Sequence, residues 1–109
     1  MTNRELAAAL GLRVICPGAE REIKNVYCGD LLSWVMGRIP SDAAWITVMT
    51  NHNVAAVAVL RDAACVVLCD GAEPDAQLLA RAKSEEIALY ASEEDVCRTA
   101  VRAVAAAGV

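Results

Sequence analysis

Apolar residues in the second half of the chain fall into short unbroken runs, each followed by a segment with helical spacing. The runs at residues 45–49, 65–69 and 87–90 are typical of strands buried on both faces. Helices are predicted at 54–60, at 76–86 and after a final cap formed by Ser92 and Asp95. The last helix is expected to bury Val101 and Val104. This alternation predicts a mostly parallel sheet that is covered by helices on both faces.

The N-terminal part of the chain adds smaller elements to this sheet. Thr2 and Glu5 form a capping-box pattern before a first helix, and Gly11 is placed to end that helix. Short strands are predicted at 13–16 and 24–28, and Asp30 is positioned to cap a short helix over 31–36. With no repeat and no linker, residues 1–109 form one predicted α/β domain. It has a three-layer βαβαβα sheet, to which an N-terminal strand pair and short helices are added.

Composition narrows the class of protein. The chain has 109 residues, of which 57% are hydrophobic and 22% charged, so a disordered tail is excluded. A net charge of -4 and a pI near 4.9 argue against a nucleic-acid or anionic-membrane surface. No apolar run reaches the roughly 18 residues of a membrane span, and the first five residues do not resemble a signal peptide. We therefore expect a soluble cytoplasmic protein.

The cysteines do not indicate a metal site. There are five, with no C-x-x-C pair, which fits neither a disulfide framework nor a zinc ribbon. Cys65 and Cys69 fall on one predicted strand, where residues four apart are separated by roughly 13 Å. That distance is too long for a disulfide or a shared metal ion. We predict no bound metal and expect these thiols to be packing groups.

Several segments together resemble the DRTGG-domain family, small α/β modules similar to the N-terminal domain of HPr kinase/phosphorylase. They are Gly-Asp-Leu-Leu-Ser at 29–33, residues 45–47, His-Asn-Val-Ala-Ala-Val-Ala at 52–58, and the stretches 66–68, 71–75 and 87–90. The string Asp-Arg-Thr-Gly-Gly is absent, and the loop that often carries Asp-Arg reads Asn51-His52 here. The resemblance covers nearly the whole chain.

The resemblance implies a regulatory or ligand-sensing module that self-associates and works beside a partner enzyme or kinase. The chain lacks a G-x-x-x-x-G-K-[ST] phosphate loop, so the resemblance does not extend to kinase activity.

Candidate ligand contacts come from the ends of the predicted strands, because ligands of parallel sheets bind outside the carboxyl ends of the strands. The loop at 50–53 is the most polar of these connections and precedes a helix N-terminus, which favours an anion. The alternative is that Asn51 or Asn53 simply caps the helix. Gly71 is expected to make a positive-φ turn. Asp70, Glu73 and Asp75 could be read as paired carboxylates, but the two acids that flank Pro74 suit the start of a helix. We predict that a small polar ligand or nucleotide contacts Thr50, Asn51, His52, Asn53, Asp70, Gly71 and Ser92.

His52 is the only histidine and could act as a lone acid or base, although a surface or capping role is the alternative. No nucleophile–base pair accompanies it, so no catalytic residue and no cofactor are assigned. Two further functional classes remain as alternatives. One is a protein-interaction domain without a small ligand, and the other is a small enzyme that uses His52.

The two tryptophans have different predicted roles. Trp45 begins a buried strand and is expected in the core. Trp34, beside Val35 and Met36, presents more apolar surface than a short helix should leave exposed. These three residues predict a two-fold homodimer interface. Packing within one subunit is the alternative.

Overall fold

Five strands form one sheet, and five helices pack on its two faces, in a computed structural model that describes residues 1–109. The sheet has the order β1-β5-β4-β3-β2, with β1 antiparallel to β5 and the other neighbours parallel. The elements along the chain are α1 (Asn3–Leu10), β1 (Arg13–Cys16), β2 (Asn25–Cys28), α2 (Leu32–Arg38), β3 (Ala43–Thr47), α3 (Asn53–Leu60), β4 (Cys65–Leu68), α4 (Ala76–Ser84), β5 (Leu89–Ala91) and α5 (Val96–Ala107). The predicted three-layer α/β fold is confirmed. None of the helices has the length and hydrophobicity to span a membrane.

The connections explain how the helices are divided between the faces. Strands β2 to β5 follow one another across the sheet without a reversal, so the crossover helices α2, α3 and α4 pack on the same face. After β5 the chain passes to the other face, where α5 packs beside α1. The carboxyl ends of four parallel strands therefore meet at one edge of the sheet.

Each face of the sheet has its own apolar core because neighbouring residues on a strand point to opposite sides. Trp45, Val66 and Leu68 face α2 to α4, whereas Ile46 and Tyr90 face α1 and α5. Trp45 is fully buried, as predicted for the core, and its indole N–H donates to the carbonyl of Gly29 at 3.0 Å.

The two N-terminal strands join the sheet at opposite edges, which corrects the prediction of a strand pair. Strand β2 is linked to β3 through α2 and pairs with it in parallel, whereas β1 pairs with β5. The segment 17–24 carries the chain from one edge of the sheet to the other. Four strand spacings of about 4.8 Å amount to roughly 19 Å, a distance that eight extended residues can cross.

The helices also differ in part from the prediction. Helix α1 begins with the predicted Thr2–Glu5 capping box. Helix α5 buries the small residues Thr99 and Ala103, whereas Val101 is 63% exposed. Val104, the other valine expected in the core, is also exposed. Because the small side chains of Thr99 and Ala103 face inward, the helix lies close to the sheet, and Val101 and Val104 are left on its outer side. Strands β3 and β5 begin two residues away from their predicted starts.

Candidate functional site

The loops after β3, β4 and β5, which carry the predicted ligand contacts, lie side by side where these parallel strands end, here called the carboxyl edge of the sheet. The amide of Asp75 donates to the carbonyl of Thr50 at 3.0 Å, which joins the loop after β3 to the loop after β4. The amides of Asp70 and Gly71 donate to carbonyls of the loop after β5 at 2.9 and 3.2 Å. Both residues have the positive φ of the left-handed region, as expected for Gly71. These hydrogen bonds make the three loops one continuous surface.

The start of α3 satisfies most of its own amides. The side-chain oxygen of Asn51 accepts from the amide of Asn53 at 2.9 Å, and the amides of Val54 and Ala55 donate to carbonyls just before them. This is the local capping role that was the alternative for the asparagines. His52 occupies the N-cap position without a side-chain capping bond and is exposed. The imidazole, like the side-chain amide of Asn53, is therefore exposed and makes no hydrogen bond within the protein.

Ser92 is separated from the surface. The residue is only 5% exposed, and its hydroxyl oxygen lies 2.9 Å from the hydroxyl oxygen of Thr99. The same oxygen accepts from the amide of Glu94 at 3.2 Å. Ser92 thus holds the loop after β5 against α5, and its burial removes it from the set of residues that a surface ligand can reach.

Acidic residues cap two further helices, α4 and α5, at this edge. The carboxylate of Asp75 accepts from the first turn of α4 at 2.7 Å, and Glu73 pairs with Arg13 on the edge strand. Asp95 caps α5 by accepting from the amide of Arg98 at 2.7 Å. That backbone hydrogen bond is the main reason why the pKa of Asp95 is lowered. These carboxylates occupy the positions that a phosphate would otherwise favour.

Asp30 has a role that the sequence did not indicate. It does not cap α2, because its carboxylate instead accepts from the buried hydroxyl of Thr47 at 2.7 Å and from the amide of Val48 at 2.9 Å. The parallel register places Cys28 beside Ile46, so a residue two positions beyond Cys28 falls beside Val48. Asp30 therefore fixes the point at which the polar loop after β3 begins. A sequence-based prediction that paired β2 with β3 in this register would have indicated the contact between Asp30 and Val48.

The predicted interface residues separate into two groups. Val35 is fully buried in the core of its own subunit and cannot contribute to an interface, because its side chain points from α2 toward the sheet. Trp34 is 55% exposed with the guanidinium of Arg38 stacked 4.0 Å over its ring, and Met36 is also exposed. Leu31, which the sequence analysis did not select, is 59% exposed just before the helix.

The carboxyl edge is an open surface rather than a pocket. The molecule has four cavities, and none is lined by residues of the loops after β3, β4 or β5. No group of three or more His, Cys, Asp or Glu side chains is arranged to hold a metal ion. Cys65 is buried, and burial raises the pKa of its thiol to about 12.

Comparison with known proteins gives a likeness among solved structures. No protein-family model matches the chain, and a search of curated proteins finds no match. Among solved structures, the chain is similar to the CBS and DRTGG domains of the regulatory region of Clostridium perfringens pyrophosphatase, crystallised with the activator diadenosine tetraphosphate. The TM-score is 0.74 at 14% sequence identity, over 94% of this chain and 46% of that one.

This likeness shows the fold. The chain has a DRTGG-like α/β fold, as the sequence resemblance implies. It spans somewhat less than half the length of the regulatory region that it matches.

Proposed function

We propose that this chain is a regulatory, ligand-sensing module that catalyses no reaction of its own and adjusts the activity of a partner enzyme or kinase in the cytoplasm. The observation that carries the proposal is the fold, which is shared with a regulatory region bound to a nucleotide activator. The resemblance to the N-terminal domain of HPr kinase/phosphorylase points to the same class of protein.

The proposed ligand is small and polar, such as a nucleotide, and binds at the carboxyl edge beside α3. After capping, the polar groups left at this edge are the Thr50 hydroxyl, the Asn51 amide nitrogen and the His52 imidazole, with Asn53 and Asp70 exposed next to them. Backbone hydrogen bonds between the loops hold the segments that carry these groups side by side. Because carboxylates cap α4 and α5, we expect contacts to the base or sugar of a nucleotide to dominate over contacts to phosphate.

Thermal-shift measurements test this site with adenine nucleotides, diadenosine tetraphosphate and small carboxylates as probes. A ligand at one hundred times its Kd stabilises the folded state by about 2.7 kcal/mol. That raises the Tm of a domain of this size by roughly 10 °C. His52→Ala should remove this increase while leaving the Tm of the free protein nearly unchanged, and Lys83→Ala on α4 serves as the exposed control. The site is wrong if no probe raises the Tm or if His52→Ala responds like the unmodified protein.

We further propose that the module is a homodimer held by Leu31, Trp34 and Met36. All three side chains are exposed on or just before a single short helix, with Leu31 and Trp34 about one turn apart, and identical surfaces pair most simply about a two-fold axis. Light scattering should give twice the 11.5 kDa of one chain. Trp34→Ser should give the monomer mass, whereas Val101→Ser on α5 should not. A monomer at high micromolar concentration without any substitution would contradict the dimer.

A protein-interaction domain without a small ligand is the second candidate. It is favoured by the absence of a cavity at the carboxyl edge. A dimer that responds to none of the probes would support it.

A further inference from the structure

Two of the five cysteines are exposed, and both lie at the carboxyl edge of the sheet. They are Cys28, the last residue of β2, and Cys97, in the first turn of α5. Cys16, Cys65 and Cys69 are buried. Exposed thiols are reactive groups that the surfaces of soluble proteins usually lack, so a pair of them at one edge of the molecule calls for an explanation.

The strand β2 directs Cys28 to the face of the sheet that carries α5. Side chains two residues apart on a strand point to the same face. Val26 packs into the core beneath α1 and α5, so Cys28 lies on that face as well. Because β2 is an edge strand, no further strand covers Cys28 from the side, which accounts for its exposure.

The helix α5 carries Cys97 on its side nearest β2. The helix contacts β2 and β3 and packs beside α1. The guanidinium of Arg102 donates to the carbonyl of Leu10 at 3.1 Å, so the flank of α5 that bears Arg102 faces α1. At about 3.6 residues per turn, Cys97 and Val104 fall on the opposite flank. That flank lies above the free edge of β2.

The thiol of Cys97 is near enough to influence the thiol of Cys28. Burial is the main reason why the pKa of Cys28 is raised, and the negative charges of Asp30 and of an ionised Cys97 raise it further. Salt screens surface charges beyond roughly 10 Å, so the two thiols are neighbours. The raised pKa also leaves little thiolate on Cys28 at neutral pH, and the first attack on an oxidant therefore falls to Cys97.

Cys69 is the other thiol in this region, and its position excludes it as a partner for Cys28. It is fully buried, and its thiol contacts the side chain of Thr99. It follows β4, and β3 lies between β4 and β2. Two strand spacings amount to roughly 10 Å, whereas the Cα atoms of a disulfide lie within about 7 Å of each other. Cys97, on a helix above the sheet, is not subject to this spacing.

We infer that Cys28 and Cys97 form a reversible disulfide when the protein meets a small disulfide such as oxidised glutathione. The Cys97 thiolate attacks one sulfur of the oxidant and expels a thiolate, which leaves a mixed disulfide on Cys97. The Cys28 thiolate then attacks the Cys97 sulfur and expels the second thiolate. Two protein thiols are oxidised, the oxidant takes up the two electrons, and the two thiol protons end on the two small thiols that are released.

The bond ties the start of α5 to the end of β2. Both cysteines are exposed, so a small thiol can reach the bond and reverse it. The inference does not depend on the proposed ligand. It is also separate from the proposed dimer, because α5 and α2 lie on opposite faces of the sheet.

Equilibration with oxidised and reduced glutathione, followed by an acid quench and mass spectrometry, tests the pair. At about 0.1 mM reduced glutathione, a neighbouring thiol with an effective concentration in the millimolar range should displace glutathione about tenfold in its favour. The main product should therefore be the protein that has lost both thiol hydrogens, and peptide mapping should join Cys28 to Cys97. A bond to Cys69, a covalent dimer, or mixed disulfides as the main product would overturn the inference.

Two single substitutions separate the roles of the thiols. Cys28→Ser should leave Cys97 as a stable mixed disulfide with glutathione, whereas the control Cys69→Ala should still form the bond. In the unmodified protein, oxidation should raise the Tm by roughly 10 °C, because the bond closes a long loop of the unfolded chain. Cys28→Ser should show no such increase. A Tm that oxidation leaves unchanged or lowers, or loss of the bond in Cys69→Ala, would contradict the pairing of Cys28 with Cys97.

Discussion

Asp30→Ala removes the carboxylate that joins the loop after β2 to the end of β3. The carboxylate accepts two hydrogen bonds, from the Thr47 hydroxyl at 2.7 Å and from the Val48 amide at 2.9 Å. Hydrogen bonds to a charged group contribute about 1.5–3 kcal/mol each when the partner is shielded from water. Thr47 is fully buried, whereas Val48 is exposed and can bind water instead. We therefore expect a loss of about 2–4 kcal/mol in the free energy of unfolding, most of it from Thr47.

Substitution of the partner residue, Thr47→Val, should lower the free energy of unfolding by less. It replaces the hydroxyl with a methyl group of similar size and leaves the exposed Asp30 carboxylate free to bind water. The amide of Met49 also loses its 3.2 Å contact to the Thr47 hydroxyl. We expect a loss of about 1–2 kcal/mol. In the double variant no buried hydroxyl is left unpaired, so the combined loss should fall short of the sum by about 1–2 kcal/mol.

Urea unfolding of the four proteins measures this coupling, with the slope m as a check that the unfolded state is unchanged. Glu85→Ala, which removes an exposed carboxylate at the end of α4, is the control and should stay within about 0.5 kcal/mol. Additive losses, or an Asp30→Ala variant as stable as the control, would refute the argument that Asp30 anchors the end of β3.

Three further measurements address the backbone, the thiols and the response to acid. Gly18 has a φ of +58°, and a Cβ there would lie 2.2 Å from a backbone nitrogen before β5, so Gly18→Ala should cost at least about 2 kcal/mol in urea unfolding. Gly37→Ala, in the open on α2, should instead stabilise by about 0.5–1 kcal/mol, and equal effects would contradict the packing at Gly18. A maleimide should modify the exposed Cys97 quickly and the buried Cys65 only on unfolding; mass spectrometry showing early modification of Cys65 would contradict its place in β4. Because the pKa of Asp95 is lowered in the folded protein, the ionised carboxylate stabilises the fold at pH values above its ordinary pKa of 3.8, and this stabilisation is lost as the pH falls below 3.8. Asp95→Asn still caps α5 but does not titrate, so the Tm of this variant should fall less steeply in acid.

Local signals determined much of the architecture. The Thr2–Glu5 capping box and the start of α4 depend on residues three apart, so the amino-acid order alone places them. The run at 65–69 is apolar without interruption because the strand is buried on both faces, and it appears as β4 within one residue. The alternation of such runs with helices was sufficient to predict the three-layer fold and the positions of the loops that follow the strands.

Other features depended on which elements become neighbours. Asp30 and Thr47 are 17 residues apart, and only the parallel pairing of β2 with β3 brings them together. The inward face of α5 could not be read from its valines, because a helix rich in Ala and Val is apolar on several sides. The burial of Ser92 and the unpaired hydroxyl of Tyr90 likewise follow from where α5 and α1 settle on the sheet. Contacts of that kind are decided by packing across the whole domain, for which a single sequence carries no local signal.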